Sequence, residues 1–222
     1  MSEQRHAQRL VILGRNSKVW MALKEFPTLA GIPVVAIGHA ELKGFDFLPG
    51  DNVWVLSYSR SADENRALLE ILALQPNINV IYVSSASTNV TTLTRCYNYP
   101  SVKQQAREDA VRLCAARVIN IGWFYSDISE LPAGRTAATS VGELAAAMLA
   151  EPAADDVNLF KMIDRPFSGA MEHALYRLYG ALLGASGRFP CLLRPLDLVL
   201  RTVGLRWYGY LYLSNRLWSS TI

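Results

Sequence analysis

Short apolar runs bounded by glycine, proline or asparagine recur through the first 121 residues, separated by stretches of helical periodicity. The runs at 9–13 (RLVIL), 33–37 (PVVAI), 52–56 (NVWVL), 80–83 (VIYV) and 117–121 (RVINI) are apolar at nearly every position. Unbroken rather than alternating hydrophobicity predicts strands buried on both faces, as in a parallel sheet covered by helices. Between them the spacing predicts helices over 18–26, 62–74 and 101–115, and a turn-rich segment over 39–50 with a short strand near 45–48. A Thr/Ser-rich loop is expected from 87 to 94. Beyond 122 the pattern loosens. Residues 141–149 read as helix, 157–162 as strand, and 173–183 and 196–203 as helices with a Pro190/Pro195 turn between. Tyr208, Tyr210 and Tyr212 alternate as in a half-buried strand.

Composition narrows the class. In 222 residues, about half apolar and 18% charged, there is material for one domain with a small appendage and no signature of disorder. The net charge of +3 and the absence of a basic run argue against a nucleic-acid partner. Cys96, Cys114 and Cys191 are odd in number and outside any CxxC spacing, and His6, His39 and His173 are scattered. Neither a disulfide framework nor a metal site is expected, and a reducing cytoplasm is the expected compartment. Residues 1–8 lack the apolar core of a secretory signal, and no uncharged apolar run approaches the roughly 18 residues that span a bilayer. Charge is uneven. From 173 onward six arginines face one acid, Asp197. That region reads as a diphosphate-binding lobe, as a basic amphipathic surface in weak contact with a membrane through 173–222, or as an ordinary packed lobe with its arginines in water.

Candidate chemistry centres on Ser85, at the exit of the 80–83 strand, and on Tyr99 and Lys103, four residues apart in YPSVK. Positions i and i+4 share a helix face, so the phenol and the amine would point the same way. The bland reading is a loop serine, a half-buried tyrosine and a solvated lysine.

In order along the chain, VILG at 11–14, DNVWVLSYS at 51–59, VIYVSSAS at 80–87, YPSVK at 99–103, RVINIG at 117–122 and RTAATSVGELAAAM at 135–148 resemble landmarks of the short-chain dehydrogenase/reductase superfamily. The resemblance is to its extended branch, which modifies nucleotide sugars. It implies an α/β fold: a Rossmann-like parallel sheet with helices on both faces over 1–130, and a small, mostly helical substrate lobe over 131–222 with segments returning to the main domain. It also implies a cytoplasmic NAD(P)-dependent oxidoreductase, epimerase or dehydratase, a nucleotide-sugar substrate from surface-polysaccharide synthesis, and a homodimer. Tyr99 would be the acid/base, Lys103 its pKa modulator and ribose ligand, and Ser85 the donor that orients the reacting oxygen. Gly14, Arg15, Asn16, Ser17, Lys18, His39 and Ser57 would surround the cofactor, and Asn120 and Arg135 the substrate.

The cofactor loop departs from the family pattern. Aligned on Gly14, its second glycine falls on Ser17 and its third on Trp20, whose indole cannot share a space kept for a missing side chain. An acid at the end of the second strand would mark NAD. Gly38-His39 stands there instead, and Arg15 and Lys18 favour the 2′-phosphate of NADP over NAD. A catalytically degenerate Rossmann-like binding or regulatory protein is the alternative.

Overall fold

The computed structural model describes residues 9–88, 98–150, 156–174 and 176–178. Six strands form one parallel sheet in the order β2-β1-β3-β4-β5-β8: β1 (Leu10–Leu13), β2 (Val34–Ile37), β3 (Asn52–Val55), β4 (Asn79–Ser85), β5 (Arg117–Ile121) and β8 (Val157–Asn158). The order reverses at β1, which pairs with β2 on one side (Leu13 opposite Ile37) and β3 on the other (Leu13 opposite Val55). In such sheets ligands bind beyond the strands' carboxyl ends, at this switch point. β1 and β3 are buried at all four positions, as unbroken apolar runs require. One sheet face packs Val11, Leu13, Val53, Val55, Val80 and Tyr82 against Leu68, Leu69 and Leu72 of α2 (Ala62–Ala73) and Ala106 and Ala110 of α3 (Asn98–Cys114).

Two compact units emerge. The first comprises Met1–Ser84, Gln105–Asn120 and Val141–Asn158, the second Ser85–Gln104, Ile121–Ser140 and Leu159–Ile222. In the first, α1 (Lys18–Leu23) packs against α4 (Val141–Leu149). At the amino ends of its strands, Arg9 grips Asp51 through two hydrogen bonds (2.8 and 2.5 Å), and Asp51 also receives the Leu48 N–H. Asp51 is almost fully buried, so this pair holds the 45–50 segment to β1 and β3. The second unit contains a three-stranded sheet, β6 (Trp123–Tyr125), β7 (Gly134–Ser140) and β9 (Lys161–Arg165), with β7 parallel to β6 and antiparallel to β9.

Several expectations need correction. No strand forms at 45–48. A 3-10 turn (His39–Gly44) leads into an extended stretch where Phe45 and Phe47 pack edge-to-face at 4.8 Å, and Pro49 follows. α1 ends at Leu23 rather than 26, because Pro27 pushes Phe26 into the extended region (φ −79°, ψ 124°). The run at 157–162 is two strands, β8 and β9, in different sheets. β6 and β7 escaped the pattern altogether. Helix is present over 170–174 and 176–178, so it overlaps the expected 173–183 segment but starts three residues earlier. The expectations for 179–222, including the Pro190/Pro195 turn, the 196–203 helix and the alternating tyrosines, lie outside the described residues, as does most of the 87–94 loop.

α3 begins at Asn98, with Pro100 tolerated in its first turn. It ends where Ala115 takes a left-handed conformation (φ 48°) and Ala116 N–H bonds the Ala110 carbonyl at 3.2 Å. A Cβ in that region costs about 1 kcal/mol, which glycine avoids. Ala115→Gly should therefore raise stability by about 1 kcal/mol, seen as a melting temperature higher by about 2–4 °C. An unchanged or lower melting point would refute the strain.

Candidate functional site

In the first unit, the exits of three strands converge. Gly14 has φ +119°, and a Cβ there would lie 2.9 Å from the Ser57 backbone nitrogen. No other residue fits. Gly14 and Arg15 both donate their N–H to the Ile37 carbonyl (2.9 and 3.1 Å), and Leu56 N–H bonds the Leu13 carbonyl (2.9 Å). β1, β2 and β3 are thus stitched together just beyond their ends. A turn closed by Ser17 N–H on the Gly14 carbonyl (2.8 Å) then starts α1.

The Ser17 hydroxyl is committed to that helix, accepting the Trp20 N–H at 3.1 Å as its N-cap. Trp20 is buried, and helix α1 accommodates the indole inside the unit. Asn16 is exposed on the loop and Lys18 at the first position of α1. His39 Nε2 and Ser57 Oγ are hydrogen-bonded, which joins the exits of β2 and β3 through side chains.

Sequence reasoning missed Glu41. Its carboxylate accepts the Gly38 N–H (2.8 Å) at the end of β2 and pairs with the Arg15 guanidinium (2.9 Å). The Gly38 N–H, and then Arg15, hold this carboxyl below the usual carboxylate range. An acid three residues after a turn-opening residue is the spacing at which a side chain reaches back to cap the chain, and that was the available signal.

In the second unit, Ser85 closes β4. Its hydroxyl accepts from Ser87 N–H (3.3 Å) and Ser87 Oγ (3.0 Å), while Thr88 Oγ1 donates to the Ser85 carbonyl (2.9 Å). Accepting both bonds, Ser85 has its own proton to give to another oxygen. Tyr99, half-buried, and Lys103, buried, sit one turn apart on α3. Burial pushes the Lys103 ammonium down to about 7. An amine titrating near neutrality can both take and give a proton.

The two residues expected at the substrate belong to different units. Asn120, buried on β5, donates Nδ2–H to Asn158 Oδ1 of β8 at 2.9 Å, while its own Oδ1 is buried without a hydrogen-bond partner. Arg135 is exposed on β7, opposite Asp164 of β9. Among the described residues no cluster of acids, histidines and cysteines could hold a metal, and no helix is long and apolar enough to cross a membrane.

No protein-family model matches the chain, and no curated protein matches it either. Solved structures do. A short-chain dehydrogenase/reductase superfamily protein from Agrobacterium tumefaciens with bound NAD is 14% identical (TM-score 0.55), over 80% of this chain and 83% of that one. The NAD-dependent NDP-hexosamine 5,6-dehydratase TunA is 13% identical (TM-score 0.52), over 96% and 98% of the two chains. The dTDP-glucose 4,6-dehydratase of Bacillus anthracis, in complex with NAD, is 10% identical (TM-score 0.51), over 72% and 78%. At these identities the likeness is one of fold: the chain has the Rossmann-like fold of short-chain dehydrogenase/reductase enzymes.

Lys103 makes stability pH-dependent with a definite sign. The unfolded chain holds this proton to about 10.5, the native one only to about 7. Between those values the unfolded state binds more protons, so stability climbs as pH rises, and below 7 the penalty is complete and constant. Lys103→Met should be the more stable protein at pH 7, with its advantage shrinking by about 1.4 kcal/mol per pH unit toward pH 9. Urea denaturation of both proteins at three pH values measures this. A constant difference would show that Lys103 keeps its charge throughout.

Proposed function

We propose that the chain is a nicotinamide-dependent enzyme acting on an alcohol or carbonyl carbon of a nucleotide-activated sugar, with Tyr99 as acid/base. The observation that carries this reading is Tyr99 one helical turn before a buried lysine that titrates near neutrality, on the helix following the strand that Ser85 closes. A free phenol, with a pKa of about 10, is a poor base at neutral pH. A lysine that protonates beside it favours the phenolate and lowers that barrier. Tyr99 would take the proton of the substrate hydroxyl in oxidation and return it in reduction, while Ser85 donates a hydrogen bond to the same oxygen. Arg135, with its planar fork, is the candidate for a diphosphate.

The strand-exit loop fits a dinucleotide in the chemistry of its donors: a glycine turn flanked by exposed Asn16 and Lys18, and a carboxylate, Glu41, at the end of β2 suited to ribose hydroxyls. A nicotinamide dinucleotide bound there supplies the hydride acceptor. Glu41 also changes the preference between cofactors. Because it holds Arg15 and would repel a 2′-phosphate, NAD is favoured over NADP, the reverse of what Arg15 and Lys18 imply alone. The similar folds compared above support a nicotinamide cofactor without separating the two.

A second reading, a binding or regulatory protein without turnover, is favoured by the Gly14 and Arg15 amides, both spent on Ile37, and by Trp20 at the third glycine position.

Titration with NADH and NADPH, followed by nicotinamide fluorescence, separates the two. The enzyme reading expects tighter binding of NADH, and Glu41→Gln should shift the preference toward NADPH by about tenfold. Binding of neither cofactor by folded protein would leave the second reading. Tyr99→Phe should lower turnover of a nucleotide sugar by at least about a hundredfold with cofactor affinity nearly unchanged. Equal turnover in that variant would remove Tyr99 from the chemistry.

A further inference from the structure

Beyond Ser85 the chain enters a 3-10 turn over 86–88, in which Ala86, Ser87 and Thr88 are all buried. A hydroxyl taken out of water destabilises the fold unless it is hydrogen-bonded. Thr88 is satisfied at the backbone, where its Oγ1–H donates to the Ser85 carbonyl at 2.9 Å. Ser87 is satisfied at a side chain, donating its O–H to Ser85 Oγ at 3.0 Å. The Ser87 N–H donates to the same oxygen at 3.3 Å, the ordinary bond of a serine that caps a turn. Capping needs that amide alone. The bond between the two hydroxyls is additional, and packing at 87 would be served by an alanine, as it is at 86.

A serine oxygen has two acceptor positions and one proton. With a single donor on the oxygen, the proton can still turn between two staggered settings about Cβ–Oγ; with two donors it has one. Ser87 supplies both donors. We infer that Ser87 is a positioning residue for the acid–base site, its hydroxyl fixing the direction in which Ser85 offers its proton. This rests on the enzyme reading above, in which that proton goes to the reacting oxygen of the substrate. Ser87 is buried and acts through Ser85 alone. It removes the other settings of the Ser85 hydroxyl before the substrate arrives, so that the donor is already aimed when charge develops on the reacting oxygen.

A double-substitution cycle in the full chain tests this, with NAD or NADH and a panel of UDP- and dTDP-hexoses. Ser87→Ala, which keeps the amide bond, should lower kcat about tenfold with KM changed by less than about twofold. In a Ser85→Ala background the same substitution should lower kcat no further. Thr88→Val removes a buried hydroxyl from the same turn without touching Ser85 Oγ, and should leave kcat within about twofold of the parent. Losses that add across Ser85 and Ser87, or an equal loss in Thr88→Val, would overturn the inference while the enzyme reading stands. Hydrogen exchange reads the arrangement without substrate: the Ser87 amide should exchange at least about tenfold faster in Ser85→Ala than in the parent. Equal exchange in the two would also overturn it. A folded parent that binds neither nicotinamide, or turns over no sugar of the panel, would remove the enzyme reading and this role with it.

Discussion

At the point where the sheet order reverses, the backbone leaving β1 must pass within contact distance of the backbone leaving β3. Gly14 makes this possible, since a Cβ would sit 2.9 Å from the Ser57 nitrogen, and much else follows from the approach. It lets the Ile37 carbonyl take two amides, sets the turn that Ser17 closes, and brings His39 to Ser57. The three positions of the expected glycine pattern have distinct physical roles here. Gly14 serves the close approach of two strands, Ser17 caps a helix, and Trp20 contributes to the interior. The switch point is therefore closely hydrogen-bonded, and what it presents outward is side-chain chemistry: Asn16, Lys18, and the Arg15–Glu41 pair.

The legible part of the fold was the part governed by transfer of apolar surface. Runs such as LVIL and NVWV are buried on both faces, and nothing but a covered parallel sheet hides four consecutive large residues in so short an element. β7 obeys a different constraint. Its sequence, GRTAATS, has no large apolar residue, yet Thr136, Ala137, Ala138 and Thr139 are wholly buried. Small size is the requirement there, because a Cβ on Gly122 would come 2.3 Å from the Ala137 carbonyl oxygen. Close backbone approach leaves no hydrophobic signature, so periodicity could not reveal this strand. The candidate site divides in the same way. Tyr99 and Lys103 could be placed by helical spacing, whereas Glu41 acts through a hydrogen bond back along the chain to Gly38, and Asn120 through a partner 38 residues away.

The ion pairs differ in what they can do. Arg15 and Glu41 are each about half exposed, at which depth a pair contributes on the order of 0–1 kcal/mol to stability. Its consequence lies in the field it sets for whatever binds beside β2, a carboxylate screened on one side by a guanidinium. Arg9–Asp51, with the carboxylate buried and bound by three donors, is structural, and removal of the arginine would strand a charge in the interior.

Lys103 lies buried on α3. Desolvation lowers its pKa, so burial of the ammonium costs the fold stability at neutral pH. In the first unit's core, by contrast, local choices agree with global ones: apolar runs lie in buried strands, and a serine caps each of α1 and α2. A conflict between residue and environment, set among otherwise consistent choices, marks the place where stability has been given up for something else. Here the residue in conflict is an amine held near neutrality, one helical turn from a phenol. An amine and a phenol so placed are suited to proton transfer, and the proposed role of α3 rests on the environment of Lys103 as well as on the spacing of YPSVK.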